Sequence, residues 1–176
     1  MLAFKRTAAA ALITTLAVVG ATFVTTTTAS AASSWKCEDN SHEIDDNNYD
    51  GPWPDNWDVT VNTCIKRSGS YVYVKSHVSW DGPTYGQVDD SGIFDSAHLT
   101  LRIRNSKRHK TLTYYGIERA LENSNSNANY NGSYDTRTYK WRAGSYRTHV
   151  APTLYLNWNN DGDGDRGQGF AWTKKV

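Results

Sequence analysis

DVTVNTCIKRSGSYVYVKSHVSW, residues 58–80, decides the fold class. Val59, Val61 and Ile65 alternate with polar residues, and Val72, Val74, Val78 and Trp80 do the same after an interruption. A period of two sends alternate side chains to opposite faces of an extended chain, so each run describes a strand half buried against a core. The interruption, KRSGS at 66–70, has the composition of a hairpin turn. Further along, Leu99, Leu101 and Ile103 share one face while Thr100, Arg102 and Arg104 point to the other. NSKRHK at 105–110 and RAGS at 142–145 read as two more turns, with further strands expected at 111–117, 133–141, 153–158 and 169–175. About seven or eight short strands rich in Val, Thr, Tyr and Trp predict an all-β fold, an antiparallel β-sandwich. One stretch departs from the pattern: YYGIERALENSNSN at 114–127 has room for a short helix before a Ser/Asn loop.

Upstream of this alternation the chain changes character twice. Lys5 and Arg6 precede an apolar run at 8–24, and Ala29-Ser30-Ala31 is an A-x-A cleavage signal, so residues 1–31 read as a secretory signal peptide. The run is short and threonine-rich, which argues against a retained membrane span. Cleavage after Ala31 leaves 145 of the 176 residues, one domain of ordinary size in a protein expected outside the cell. Residues 32–57 carry two prolines, many Asp and Asn, and little apolar periodicity. They read as an extended acidic arm ahead of a sandwich domain at 58–176.

Cys37 and Cys64 allow one intrachain pairing, the default in an exported protein. The bond would tether the arm to the first strand and, in the chain-entropy picture, contribute roughly 3–4 kcal/mol. The whole chain has a formal net charge of +1, and loss of Lys5 and Arg6 makes it −1. Global charge therefore favours neither nucleic acid nor an anionic membrane as partner. The distribution is uneven. The arm and the residue after it hold eight carboxylates (Glu38, Asp39, Glu43, Asp45, Asp46, Asp50, Asp55, Asp58) against Lys36 alone, whereas RIRNSKRHK at 102–110 holds five cations and no acid.

NWNNDGDGDRGQGFAW, residues 157–172, sets Asp161, Asp163 and Asp165 at alternate positions among glycines. Residues 159–164 fit the opening of an EF-hand loop with Asn159 in first place, but Phe170 stands where the closing Glu belongs. Gly and Asp also suit a hairpin connection, and that reading is preferred over calcium. Solvated neighbouring aspartates make poor glycosidase carboxyls, which need a cleft and one raised pKa. The sequence contains neither G-x-S-x-G nor H-E-x-x-H, and its five histidines are scattered. A non-enzymatic protein without cofactor is expected.

What remains for function is binding. Trp35, Ile44 and Tyr49 are large apolar groups in the arm beside Glu43, Asp45 and Asp46, a mix suited to a cleft with an apolar floor and a basic rim. The alternative is that these aromatics pack back on the sheet, since arms often cover a sheet edge. The basic stretch at 102–110 is either a solvated turn or a contact for an acidic partner or an anionic wall polymer. Seven Trp and eleven Tyr exceed what a small core needs, and exposed aromatics suit sugars or protein interfaces.

Together, the Ala/Thr-rich signal, the arm SSWKCEDNSHEIDDNNYDG at 33–51 with its early cysteine, and the compact β domain resemble the adaptor subunit of the umbrella toxin particles secreted by filamentous actinobacteria. In that family small β proteins join a large toxin-bearing protein to lectin subunits, and the adaptor's N-terminal segment inserts into a cleft on the lectin. The resemblance implies an adaptor with the arm as docking element. A carbohydrate-binding module or lectin, or a small secreted inhibitor or toxin, are the other classes the residues allow.

Overall fold

In the computed structural model two antiparallel sheets face each other across the alternating apolar residues. The structure describes residues 33–45, 56–82, 93–124, 131–159 and 162–176. The first sheet contains β1 (Lys36–Ile44), β2 (Trp57–Ser68) and β3 (Tyr71–Asp81) in that order, and β3 then pairs with both β6 (Asn131–Asp135) and β7 (Tyr139–Arg142). The second sheet has the order β5 (His109–Tyr114), β4 (Phe94–Arg104), β8 (His149–Trp158), β9 (Arg166–Gly169). A seven-residue helix, α1 (Gly116–Glu122), follows β5 and sends Ile117 and Leu121 into the interior. This is the expected all-β sandwich with its short helix. Ala32–Val176 forms one compact unit, so residues of the expected arm and of the expected domain belong together.

The core is the set of residues whose alternation predicted it. Val59, Val61, Ile65, Val72, Val74 and Val78 of the first sheet face Ala97, Leu99, Leu101, Ile103, Val150, Leu154 and Leu156 of the second, all essentially inaccessible. Trp57, Phe94 and Trp158 close one end, with ring centroids 5.6 and 5.8 Å apart along the series. The β2–β3 hairpin turns at Gly69, whose φ of 55° lies where a side chain is costly.

Three expectations change in detail. The strand expected at 133–141 is two strands, β6 and β7, because Thr136 replaces ladder pairing with its own atoms: its amide donates to the Ser76 carbonyl at 2.9 Å and its hydroxyl accepts from the Ser76 amide at 2.7 Å. The strand expected at 169–175 lies earlier, at Arg166–Gly169, and the residues after it run beside β8 through bonds from Phe170, Thr173 and Val176 to the carbonyls of Pro152, Val150 and Thr148. Most importantly for function, the first part of the expected arm is a strand. β1 pairs with β2 from Lys36↔Ile65 to Ile44↔Trp57 without a register break. Apolar alternation misses it because its inward positions before Ile44 are Glu38, Asn40 and His42, so most of its length is polar on both faces. Trp57, placed in the arm by composition, opens β2 and is 2% exposed.

Candidate interaction surfaces

Two surfaces emerge, one on each sheet, and the first is built around β1. Cys37 lies directly opposite Cys64 with Cα atoms 4.0 Å apart, and the two form a disulfide. So close an approach marks a pair that does not exchange backbone hydrogen bonds. The amides and carbonyls of Cys37, Asp39, Ser41 and Glu43 therefore point away from β2, and among the described residues no strand pairs with that side of β1. The inward side chains fasten β1 to the segment after β9. Asn40 Oδ1 accepts from the Ala171 amide at 3.0 Å, the His42 ring meets Phe170 at 5.1 Å, and Glu38 lies 3.9 Å from Lys174. Inward polar groups of this kind blunt an edge against non-selective pairing.

Strand register grades the outer face of the first sheet from cationic to acidic. At one end Lys66 lies 4.6 Å from the Trp35 ring, Lys75 lies 5.2 Å from it, and Lys140 lies 4.2 Å from Tyr71. At the other end Glu43, Asp58 and Asp81 stand opposite one another across β1, β2 and β3. Like charges in directly opposed positions cost stability. The rows between are neutral or mixed, including Ser41↔Thr60↔Ser79↔Ser133.

The sequence-chosen docking residues do not converge. Trp35 is half-buried beside its two lysines, whereas Ile44, about 30 Å further along at the rise of a strand, packs against the core. Glu43 and Asp45 are exposed, and Glu43 accepts a hydrogen bond from Asn56. Asp46 and Tyr49 lie outside the described residues. Trp35 and Ile44 thus lie at opposite ends of β1, and Glu43 and the disulfide belong to a strand edge.

The second surface is the outer face of the other sheet, where cations gather near the turn after β4. Arg104 stands opposite His109 on β5 and His149 on β8, and Arg102 opposite Thr111. Arg104, Asn105, Ser106, Ser145, Tyr146, Arg147, His149, Trp172 and Lys175 line an open depression of about 690 Å³. Arg102, Arg104, His109 and Thr111 line a smaller one of about 290 Å³ that shares Arg104. No carboxylate lines either. Trp172 and Tyr146 are 53% and 40% exposed, and the His149 ring packs on Trp172 with centroids 4.7 Å apart. Burial, followed by the Lys175 and Arg104 charges, holds the His149 imidazole below its ordinary pKa.

Arg67, in the sequence merely one residue of the 66–70 turn, organises this depression from the first sheet. Its guanidinium donates to the carbonyls of Gly144 and Tyr146, to a main-chain oxygen of Val176 and, at 3.3 Å, to the Thr148 hydroxyl. One planar donor fork so fixes the 143–148 loop against the last residue. Nothing in the sequence distinguishes Arg67 from its solvated neighbours, because its partners are backbone atoms remote in the chain.

The aspartate loop connects β8 to antiparallel β9, as the hairpin reading expects. Asp163 pairs with Arg166 and Asp165 accepts from Ser96 at 2.5 Å, while Asp161 lies outside the described residues. Among the described residues no group of three or more His, Cys, Asp or Glu is arranged to hold a metal ion, and no helix is long and apolar enough to cross a membrane. The chain matches no protein-family model, no curated protein and no solved structure.

Proposed function

We propose that this chain is a secreted, non-enzymatic adaptor that captures a protein partner through β1. The supporting observation is a disulfide-locked edge strand whose outward amides and carbonyls meet no strand among the described residues, set beside an acidic row. Such an edge takes an added strand through main-chain hydrogen bonds, which supply affinity, while alternate side chains supply selection. Glu43, Asp58 and Asp81 would orient a partner that presents a basic rim, chiefly by raising the rate of encounter. By the resemblance stated above, the partners are a lectin-like subunit and a larger toxin protein in an extracellular antibacterial complex. This reading keeps the N-terminal segment as docking element and puts strand addition ahead of aromatic insertion.

Ser41→Pro tests it. The Ser41 amide faces the free side of β1, so proline removes an edge donor without touching the β1–β2 ladder. Tagged protein recovered from culture supernatant should bring down a lectin-like or large toxin subunit, identified by mass spectrometry; Ser41→Pro should lose it and Ser41→Ala should keep it. If Ser41→Pro captures its partner as well as the intact protein, the basic stretch at 102–110 becomes the better candidate.

A further inference from the structure

We propose that the cationic depression on the second sheet binds an anionic polysaccharide, its charged substituents held by Arg104, Arg147 and Lys175 and a sugar ring stacked on Trp172. Among the described residues none of these three cations makes an ion pair, and no acid lines the depression. Three uncompensated cations converging on one concavity are costly through mutual repulsion, and an anion entering it removes that cost. Arginine forks suit the paired oxygens of phosphate or carboxylate. His149 adds a ring nitrogen, Nε2, that is buried and has no hydrogen-bond partner.

The remaining lining residues select the polymer class. Trp172 and Tyr146 present exposed aromatic faces, and Asn105, Ser106 and Ser145 offer amide and hydroxyl groups of the kind that bond sugar hydroxyls. A nucleic acid would need a basic track along its backbone. Here the first sheet ends in an acidic row, and the chain is nearly neutral, with a formal net charge of +1. A flat acidic protein surface would leave the concavity unfilled. None of its lining residues belongs to β1, and the site would let an adaptor sit on a charged cell-wall polymer.

The probes are phosphomannan, polygalacturonate, neutral dextran and single-stranded DNA, titrated at low and at physiological salt. Anionic polysaccharide should bind and dextran should not; retention of only the phosphate or only the carboxylate polymer supports the site and identifies its substituent. Arg104→Ser with Lys175→Ser should weaken binding at least tenfold and flatten its salt dependence. Trp172→Ala should weaken it several-fold with the salt dependence unchanged, since no charge is lost. Arg147→Ser, on a loop outside the ladders, provides a second charge variant should the double variant disturb the sheet in far-UV circular dichroism. Ser41→Pro should bind as the intact protein does, which separates this site from the edge strand. The proposal is overturned if neither anionic polysaccharide binds, if the charge variants or Trp172→Ala bind undiminished, or if DNA binds as tightly as the polysaccharide.

Discussion

Gly132 shows how tightly single positions are held. A Cβ there would sit 2.4 Å from Trp80 Cζ2 and 2.6 Å from Cε2, closer than atoms tolerate. Gly132→Ala should therefore cost about 1–3 kcal/mol, read as a lower denaturant midpoint with an unchanged slope. Arg67 is the polar counterpart. Arg67→Met keeps the aliphatic stem but leaves several carbonyls without their charged donor, a loss of about 2–3 kcal/mol, and faster amide exchange at 143–148 should accompany it. His149 gives a pH signature. Its folded pKa lies below the ordinary value through burial and through Lys175 and Arg104, so the unfolded chain takes up the proton first. Stability should fall as pH drops below about 6.5 and level off once the folded form is also protonated. Chemical unfolding from pH 7.5 to 4.5, with His149→Gln as control, measures the difference. The core residues were legible in the sequence because apolar alternation reports burial directly. Arg67 and His149 were not, since their surroundings come from segments far apart in the chain that folding brings together.

Among the elements, strands with one apolar face were found from periodicity, and turns from Gly, Ser and Asn. β1 escaped because an edge strand with polar groups on both faces has no hydrophobic period to detect; the cysteine alone placed it near β2. Cys37→Ser with Cys64→Ser should keep the far-UV β signal, since the core is formed by β2, β3, β4 and β8, but amide protection should fall selectively across β1. An unfolded double variant would show that β1 is indispensable to the core. The loop between β8 and β9 joins antiparallel strands, as its Gly and Asp residues allow. Asp163 already holds Arg166 and Asp165 holds Ser96, so millimolar calcium should leave Tm unchanged. A calcium-dependent rise abolished by Asp161→Ala with Asp163→Ala would overturn that expectation.

At the scale of the molecule, the two outer faces carry different chemistry. Composition showed that acids cluster early and cations later, but not that strand register would align Glu43, Asp58 and Asp81 in one row, nor that residues from 104 to 175 would ring one depression. Pairing between distant strands creates both, and no local pattern encodes it. The disulfide has a mechanical consequence of its own. Tension entering through the residues ahead of Cys37 would, without the bond, peel β1 from β2 one residue pair at a time, starting at Lys36↔Ile65. The covalent link instead passes the load at Cys64 into β2, which is flanked by β1 and β3. Pulled from its N-terminal side in optical tweezers, the oxidised protein should open in one high-force step, and the reduced protein should first release β1 at low force. Load that enters ahead of Cys37 thus bypasses the β1–β2 pairs that follow the bond.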